Sequence, residues 1–260
     1  MSVSVDADLV DKVRAIALRA GAAIMDVYST DFAVERKGDT SPVTEADQRA
    51  ETLIVDAIRR EIGADYPIVA EEAVAAGQVP DIAGRPFWLV DPLDGTKQFV
   101  NRQGEFTVNI ALIEDGRPLL GVVHAPAIGA TYWGSRLGAF AVSNGDPPRP
   151  IHCRPMPDKG LVAVASRSHR NAETDAFLAR YDVAEAISSG SSIKFCLVAE
   201  GRADIYPRTG RTMEWDTAAG HAVVLFAGGS VTTLDGQELR YGKPGLDNPH
   251  FVVRGAPPQA

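Results

Sequence analysis

The sequence contains little cysteine, few aromatic residues and no long hydrophobic run. Its 260 residues include 2 cysteines, and aromatic residues make up 7%. Two cysteines cannot form a disulfide framework, and the N-terminus shows no signal-peptide pattern. The longest apolar stretches, such as 161–165 and 222–227, are far shorter than the roughly 20 residues of a membrane-spanning helix. We therefore expect a cytoplasmic protein without an integral membrane segment, and leave peripheral contact with the inner membrane open.

Positive charge is also in short supply. Lysine and arginine together number 26 against 34 aspartates and glutamates, which gives a net charge of −8. Nucleic-acid binding depends on basic side chains that neutralise phosphates, so we expect no nucleic-acid partner. The chain is 45% hydrophobic and 23% charged, which is typical of globular proteins and argues against disorder or a coiled coil.

Hydrophobic spacing predicts a mixed α and β protein with two lobes. Apolar residues recur every three or four positions over 9–27 and predict an amphipathic helix, and a second helix is expected from Thr44. Short apolar runs bounded by turn residues predict strands at 66–70, 87–90, 106–113, 119–124 and 161–165, and helical patterns recur at 172–181, 192–200 and 216–227. The Gly- and Pro-rich stretch 143–157 predicts a boundary between an N-terminal lobe, residues 1–150, and a C-terminal lobe, residues 151–260. The tail from Pro249 is expected to add one apolar patch and then fray.

Carboxylates fall at the ends of two of the predicted strands. Glu71 and Glu72 follow the strand at 66–70, and Asp91 and Asp94 follow the strand at 87–90. Acids at strand ends are presented at the edge of a sheet, where loops build sites. Together with the backbone carbonyl oxygen of Leu93, they form an all-oxygen ligand set that suits Mg²⁺ better than zinc.

Three further residues extend this acidic pattern. Gly95 permits close backbone approach, and Thr96 can begin a helix whose free N–H groups receive a phosphate. Asp216 begins a predicted helix rich in small residues. Taken alone, each segment is more often a turn, a helix cap or a solvated acidic pair than a metal site. Taken together, they favour a divalent-metal site, because like charges repel unless a cation lies between them.

Several segments in this order resemble the inositol-monophosphatase superfamily. The matching runs are 41–47, 71–72, 91–96 and 215–220, so the resemblance covers most of the chain. Within the superfamily the chain looks most similar to 3′(2′),5′-bisphosphate nucleotidases of the CysQ type, on the runs 94–99, 104–110, 189–196, 204–208 and 213–216. The resemblance implies an α+β fold, a layered αβαβα sandwich.

The resemblance also implies an activity. A protein of this type is a lithium-sensitive, Mg²⁺-dependent phosphatase with two or three Mg²⁺ ions per site. It hydrolyses the 3′-phosphate of adenosine 3′,5′-bisphosphate to AMP and phosphate, and the same ester in the 5′-phosphosulfate analogue, as part of sulfur metabolism. An inositol monophosphatase, another sugar- or alcohol-phosphate phosphatase of the same fold, and a metal-dependent binding protein without turnover stay as alternatives. Homodimer formation is left open.

Carried over by position, the resemblance implies a role for each site residue. The metal ligands are Glu71, Asp91, the Leu93 carbonyl, Asp94 and Asp216. The catalytic residues that orient or deprotonate water are Asp47, Glu71 and Thr96. The residues that contact the substrate are Glu71, Leu93, Asp94, Gly95, Thr96, His169, Ser191, Lys194, Arg208 and Asp216. Without the resemblance, Lys194 and Arg208 would be ordinary surface cations. Gln98 departs from the pattern, since an acid is common there.

Overall fold

The first helix confirms the apolar spacing near the N-terminus. The computed structural model describes residues 3–30, 34–36, 42–168 and 170–258. Helix α1 runs from Ala7 to Tyr28, and the Asp6 carboxylate caps it by accepting a hydrogen bond from the Leu9 N–H at 2.9 Å. Its apolar face is buried, because those positions recur on one side of the helix.

Seven α-helices and fourteen strands are present in the described ranges. After α1 the helices are α2 Glu45–Ala57, α3 Glu71–Ala75, α4 Thr96–Val100, α5 Ala172–Leu178, α6 Ile193–Ala199 and α7 Trp215–Phe226. The strands are β1 Val34–Arg36, β2 Pro42–Thr44, β3 Ile68–Ala70, β4 Phe87–Asp94, β5 Thr107–Glu114, β6 Arg117–Ala125, β7 Ala130–Ser135, β8 Gly138–Ser143, β9 Arg149–Pro150, β10 Leu161–Ser166, β11 Val183–Ser189, β12 Ile205–Arg208, β13 Ser230–Thr233 and β14 Phe251–Arg254. A π-helical turn spans Ile58–Ile62 and a 3₁₀ turn spans Pro126–Ile128.

The strands form two main sheets and one small hairpin. The first sheet has seven strands in the order β3-β4-β5-β6-β7-β8-β9, and only the β3–β4 pair is parallel. The second sheet has five strands in the order β11-β10-β12-β14-β13, with β10 parallel to both β11 and β12. Strands β1 and β2 form the hairpin.

Helices separate and cover the sheets in layers. Helices α1 and α2 pack on one face of the first sheet, and α7 packs on its other face against β5, β6 and β7. Helix α6 lies against α7 and also against β10, β12 and β14 of the second sheet. Helix α5 covers the outer face of that sheet, where Phe177 and Leu178 contact Ile205 and Val252. This order of layers confirms the αβαβα sandwich.

Helix α7 lies very close to the first sheet. A Cβ atom added to Gly121 in β6 would stand 2.5 Å from the Ala219 carbonyl oxygen and 2.6 Å from the Ala222 Cβ. Real Cβ atoms do not approach other heavy atoms so closely, so only glycine allows this spacing. A helix from the second half of the chain is thus seated on the sheet of the first half. The division at residues 150 and 151 stays a prediction.

The end of the chain differs from expectation. The predicted apolar patch after Pro249 is β14, which pairs with β12 on one side and β13 on the other. The fraying predicted beyond it is wrong for Gly255 and Ala256, whose N–H groups donate to the Asp204 and Arg154 carbonyl oxygens at 2.8 and 3.0 Å. Phe251, Val252 and Val253 are fully buried. Strand β4 also continues through Asp94, with irregular pairing between Asp91 and Asp94. In the described ranges, no helix is both long and apolar enough to cross a bilayer.

Candidate active site

One cavity collects most of the residues predicted for the site. Its volume is about 240 Å³, and residues of both main sheets contribute to its wall. The predicted residues that line it are Glu71, Asp94, Gly95, Thr96, Ser191, Lys194, Arg208 and Asp216. Three other predicted residues, Asp47, Asp91 and Leu93, are buried. His169 lies outside the described residues.

The register of the first sheet explains how the acids meet. Strands β3 and β4 are parallel neighbours with Ala70 opposite Val90. The residues that follow, Glu71 at the start of α3 and Asp91 in β4, therefore emerge at the same edge. Asp216 reaches this edge from the first turn of α7, the helix packed on the same sheet.

The carboxylates at this edge are electrostatically strained. Asp91 is 1% exposed, and burial raises its pKa well above the usual range, with further contributions from the charges of Glu71, Asp94, Asp216 and Asp47. The pKa of Asp216 is also well above its usual range. Burial is the largest cause, followed by the charges of Asp94 and Glu71. Asp216 keeps some exposure to the cavity, yet the protein around it still removes most of its hydration. The protein supplies too little positive charge here to balance these acids.

Oxygen atoms are left over for a ligand. Asp91 accepts a hydrogen bond from the Leu93 N–H at 3.0 Å, Asp94 from the Ser192 hydroxyl at 3.0 Å, and Asp216 from the Met213 N–H at 2.9 Å. In each case the second carboxylate oxygen accepts no hydrogen bond within the described part of the chain. Such free carboxylate oxygens are the donors that Mg²⁺ and other hard divalent cations prefer. The donor set therefore fits a divalent cation.

These acids do not yet form a closed ligand cage. Among the described residues, no three or more His, Cys, Asp or Glu side chains are grouped closely enough to hold a metal ion as they stand. The charges of Glu71, Asp94 and Asp216 nevertheless raise the pKa of Asp91, so these carboxylates are near neighbours. Like-charged carboxylates this close to one another favour a cation between them.

The Gly95–Thr96 turn lies beside these acids. Gly95 has a left-handed φ of 93° and precedes the first residue of α4, which begins at Thr96 as predicted. A Cβ atom on Gly95 would stand 2.9 Å from the Glu105 carbonyl oxygen, so a larger residue has no room. The Thr96 hydroxyl donates to the Leu93 carbonyl oxygen at 3.2 Å. The turn thus brings a backbone oxygen and a hydroxyl to the same edge of the cavity.

Two buried cations form the other side of the cavity. Lys194 is 5% exposed and Arg208 is 8% exposed. Lys194 donates to the Ser191 carbonyl, and Arg208 donates to the Arg211 carbonyl at 3.2 Å, while the buried Arg208 Nε has no partner. Within the described ranges neither cation forms an ion pair. Burial, with the nearby charge of Arg208, lowers the pKa of Lys194 to about 8, although the charges of Asp94 and Glu105 oppose this shift.

Comparison with known proteins identifies the family. The sequence profile of the inositol monophosphatase family matches residues 6–255. The chain belongs to the inositol monophosphatase family. This membership agrees with the motifs that carried the resemblance and with the layered fold.

Relatives in this family include enzymes of one named activity. The chain is 44% identical over 248 residues to the 3′(2′),5′-bisphosphate nucleotidase CysQ of Salmonella typhimurium, covering 94% of this chain and 99% of the relative. It is 43% identical over 258 residues to the protein of the same name from Escherichia coli K12. Among solved structures, CysQ from Bacteroides thetaiotaomicron has a TM-score of 0.78 at 38% identity, covering 95% of this chain and 96% of that chain. The inositol monophosphatase of Anabaena (Nostoc) sp. PCC 7120 has a TM-score of 0.75 at 27% identity, covering 95% and 90%.

The structure also places residues at the family site that sequence patterns did not single out. Glu51 accepts hydrogen bonds from the Glu72 and Ala73 N–H groups at 2.7 and 2.8 Å and so caps α3, which has no other side-chain cap. Glu105 accepts from Arg167 and from the Gly190 N–H at 2.9 Å, which links the two sheets beside the cavity. Each contact joins residues far apart in the sequence, so spacing gave no signal for it.

Proposed function

We propose that the chain is a Mg²⁺-dependent 3′(2′),5′-bisphosphate nucleotidase. It removes the 3′-phosphate of adenosine 3′,5′-bisphosphate to give AMP and phosphate, and accepts the 5′-phosphosulfate analogue. The alignments with the relatives that carry this name span nearly the whole length of each relative and nearly all of this chain. Cytoplasmic location and homodimer formation stay predictions.

One observation carries the choice of substrate. The cavity holds two buried cations, Lys194 and Arg208, that have no anionic partner among the described residues, and it also holds the Asp216 carboxylate, whose pKa is raised. A buried charge without a partner is costly, so both sides of the cavity are suited to a charged ligand. A substrate with one phosphate at the acidic side, through divalent cations, and a second phosphate at the basic side would balance both.

The proposed cofactor fits the acidic side. Glu71, Asp91, the Leu93 carbonyl, Asp94 and Asp216 are the proposed ligands for two Mg²⁺ ions, with a third ion near Asp47 as the family resemblance implies. Their donors are all oxygen, which is the preference of Mg²⁺. When bound, Mg²⁺ acidifies water and offsets negative charge on the phosphoryl group.

The chain's own residues then position the reaction. Glu71 accepts the proton of the attacking water, the Thr96 hydroxyl orients that water, and Asp47 assists from the buried side. The Gly95–Thr96 turn contacts the phosphate that is cleaved. Phosphoryl transfer depends mainly on positioning and charge stabilisation, so this rigid turn and its neighbouring acids supply what the reaction needs.

Contacts to the second phosphate determine specificity in this proposal. Lys194 and Arg208 bind the phosphate that is not cleaved, since a planar guanidinium suits two-point contact with phosphate oxygens. Ser191 lies between them and the turn, and His169 is proposed as a further substrate contact. An inositol monophosphate has one phosphate only and would leave both cations unmatched.

The test is phosphate release from adenosine 3′,5′-bisphosphate and from inositol 1-phosphate in parallel, with Mg²⁺, with EDTA and with added lithium. We expect fast release from the nucleotide that EDTA abolishes and lithium inhibits. Preference for inositol 1-phosphate would keep the metal chemistry and overturn the roles of Lys194 and Arg208. Release that persists in EDTA would overturn the metal assignment.

A further inference from the structure

One buried hydroxyl connects the proposed metal ligands of two different elements. The Ser192 Oγ lies 3.0 Å from Asp94 Oδ2 and 2.9 Å from the backbone oxygen of Asp216. Asp94 is the last residue of β4, and Asp216 belongs to the first turn of α7. Along the chain they are 98 and 24 positions away from Ser192. Ser192 is 1% exposed, so the contact is buried.

The hydroxyl is itself held in place. Asn109 donates to the Ser192 Oγ through its Nδ2 at 3.0 Å, and Asn109 is fully buried in β5, opposite Asp91 in the sheet register. A hydroxyl has one proton and two lone pairs. Because Asn109 occupies a lone pair, the single proton of Ser192 is shared between Asp94 and the Asp216 carbonyl. Any rotation of Ser192 away from these oxygens would break all of these bonds.

The Asn109 side chain is not arranged for its own hydrogen bonding. Its Oδ1 atom is buried and has no partner within the described residues. Leaving a buried acceptor unsatisfied is unfavourable, whereas an amide used only for stability would pair at both ends. The Asn109 amide thus keeps its hydrogen bond to Ser192 although its own oxygen atom has no donor.

We propose that Ser192 is a positioning residue for metal binding, which rests on the metal-dependent function proposed above. Its hydroxyl fixes the Asp94 carboxylate at the end of β4 relative to the backbone of Asp216 in the first turn of α7, so that the positions of these two residues are set before a cation binds. Ser192 contacts neither the substrate nor the reacting atoms in this role.

The experiment measures Mg²⁺ binding to the purified protein by calorimetry without substrate, in Ser192→Ala and in a matched control. Ser189→Ala is the control, because this buried hydroxyl ends β11 just before the same connection and, within the described part of the chain, donates only to the Gly190 carbonyl, at 3.4 Å. Loss of a hydrogen bond to a charged group predicts a Kd for Mg²⁺ raised roughly tenfold in Ser192→Ala and unchanged in the control. Ser192→Cys has a side chain of similar volume with a weaker donor, so its Kd for Mg²⁺ should lie between those of the parent and Ser192→Ala. It replaces the alanine variant if that variant does not fold.

Activity measurements separate positioning from general damage. In Ser192→Ala we expect kcat to recover at saturating Mg²⁺ with KM for the nucleotide unchanged, while the metal-free melting temperature falls by a few degrees because Asn109 and Asp94 each lose a buried hydrogen bond. An unchanged Kd would overturn the proposal, and so would a lower melting temperature combined with a higher KM that excess Mg²⁺ does not correct. If the unmodified protein binds no Mg²⁺, the proposed function fails as well. If it binds Mg²⁺ but Ser192→Ala does so equally, only the role of Ser192 fails.

Discussion

Two regions of this molecule treat buried charge in opposite ways. Behind the second sheet, the fully buried Asp204 is paired with Arg154 through two hydrogen bonds of 2.6 and 2.7 Å, and it also accepts the Val162 N–H. In the cavity, Asp216 has a raised pKa and Lys194 a lowered one. The chain therefore pairs buried charges where only stability is at stake. The unbalanced charges of the cavity are left for a ligand.

The contrast is sharper because both signs of charge share one cavity. Lys194 and Asp216 both line it, and burial is the main cause of the lowered pKa of Lys194 and of the raised pKa of Asp216. A direct ion pair would have relieved both. Keeping them apart leaves space for a molecule that carries phosphates together with divalent cations.

The largest expected effect comes from removing a cavity carboxylate. Asp216→Asn should lower turnover of adenosine 3′,5′-bisphosphate about a thousandfold, since a metal's charge stabilisation is worth several kcal/mol. Far-ultraviolet circular dichroism of this variant should match the parent, because the substituted side chain has the same shape. Full activity in Asp216→Asn would contradict the two-metal assignment.

The paired region should respond in the opposite manner. Asp204→Asn removes the charge that the Arg154 guanidinium pairs with, and because Arg154 is 40% exposed and stays hydrated, stability should fall by only roughly 2 kcal/mol, mainly through the weakened hydrogen bonds of the buried side chain. That corresponds to a melting temperature lower by roughly 4–8 °C for a chain of this size. Calorimetric melting provides the measurement, and kcat at a temperature where the variant is folded should be unchanged. A large loss of kcat there would erase the distinction between the two regions.

On the basic side, Lys194→Ala should raise KM for adenosine 3′,5′-bisphosphate by roughly 10- to 100-fold, the value of one or two charged hydrogen bonds. The effect on inositol 1-phosphate should be much smaller, because that substrate has no second phosphate. Steady-state kinetics on both substrates decide the matter. Lys97→Ala is the control, because this exposed lysine lies on the cavity rim and has no proposed role. Equal losses on the two substrates would remove Lys194 from specificity.

The smallest effect is a dependence of stability on pH. Burial raises the pKa of Asp216 above the value of 3.8 expected for an unfolded chain, so the folded protein holds its proton longer. Stability from this group is present below the unfolded pKa and is lost as the pH rises through the folded pKa. Without Mg²⁺, Asp216→Asn should therefore melt higher than the parent at pH 8, by about 1 kcal/mol or a few degrees, and the difference should shrink towards pH 4.

Other groups do not confuse that measurement. Burial lowers the pKa values of His124 and His221 to about 4, which makes stability rise with pH below 6.5 in both proteins equally. The difference between variant and parent cancels that effect. Saturating Mg²⁺ should reverse the order, because only the parent gains from binding. An Asp216→Asn protein that is less stable than the parent at every pH without Mg²⁺ would show that Asp216 is not strained.

Local patterns predicted the acidic edge and every helix except α3, because these features depend on neighbours in sequence. The spacing of α1 and the strand–acid junctions at Glu71 and Asp91 needed no distant partner to be interpreted. Strand β14 was missed because its four residues, Phe251–Arg254, become a strand only between β12 and β13. The roles of Ser192 and Glu51 depend on partners far along the chain. The absence of counter-ions for Lys194 and Arg208 among the described residues is likewise a property of the folded cavity.

The close contact between α7 and the first sheet has a consequence for how sequence change affects this protein. Gly121 is not one of the residues that line the cavity, yet its lack of a side chain allows the short distance between α7 and the first sheet. A single added methyl group would lift the helix and carry Asp216 away from Asp94. Inherited variation at such a glycine could therefore abolish activity while every residue of the pocket remained intact, and surveys confined to pocket residues would not detect the loss.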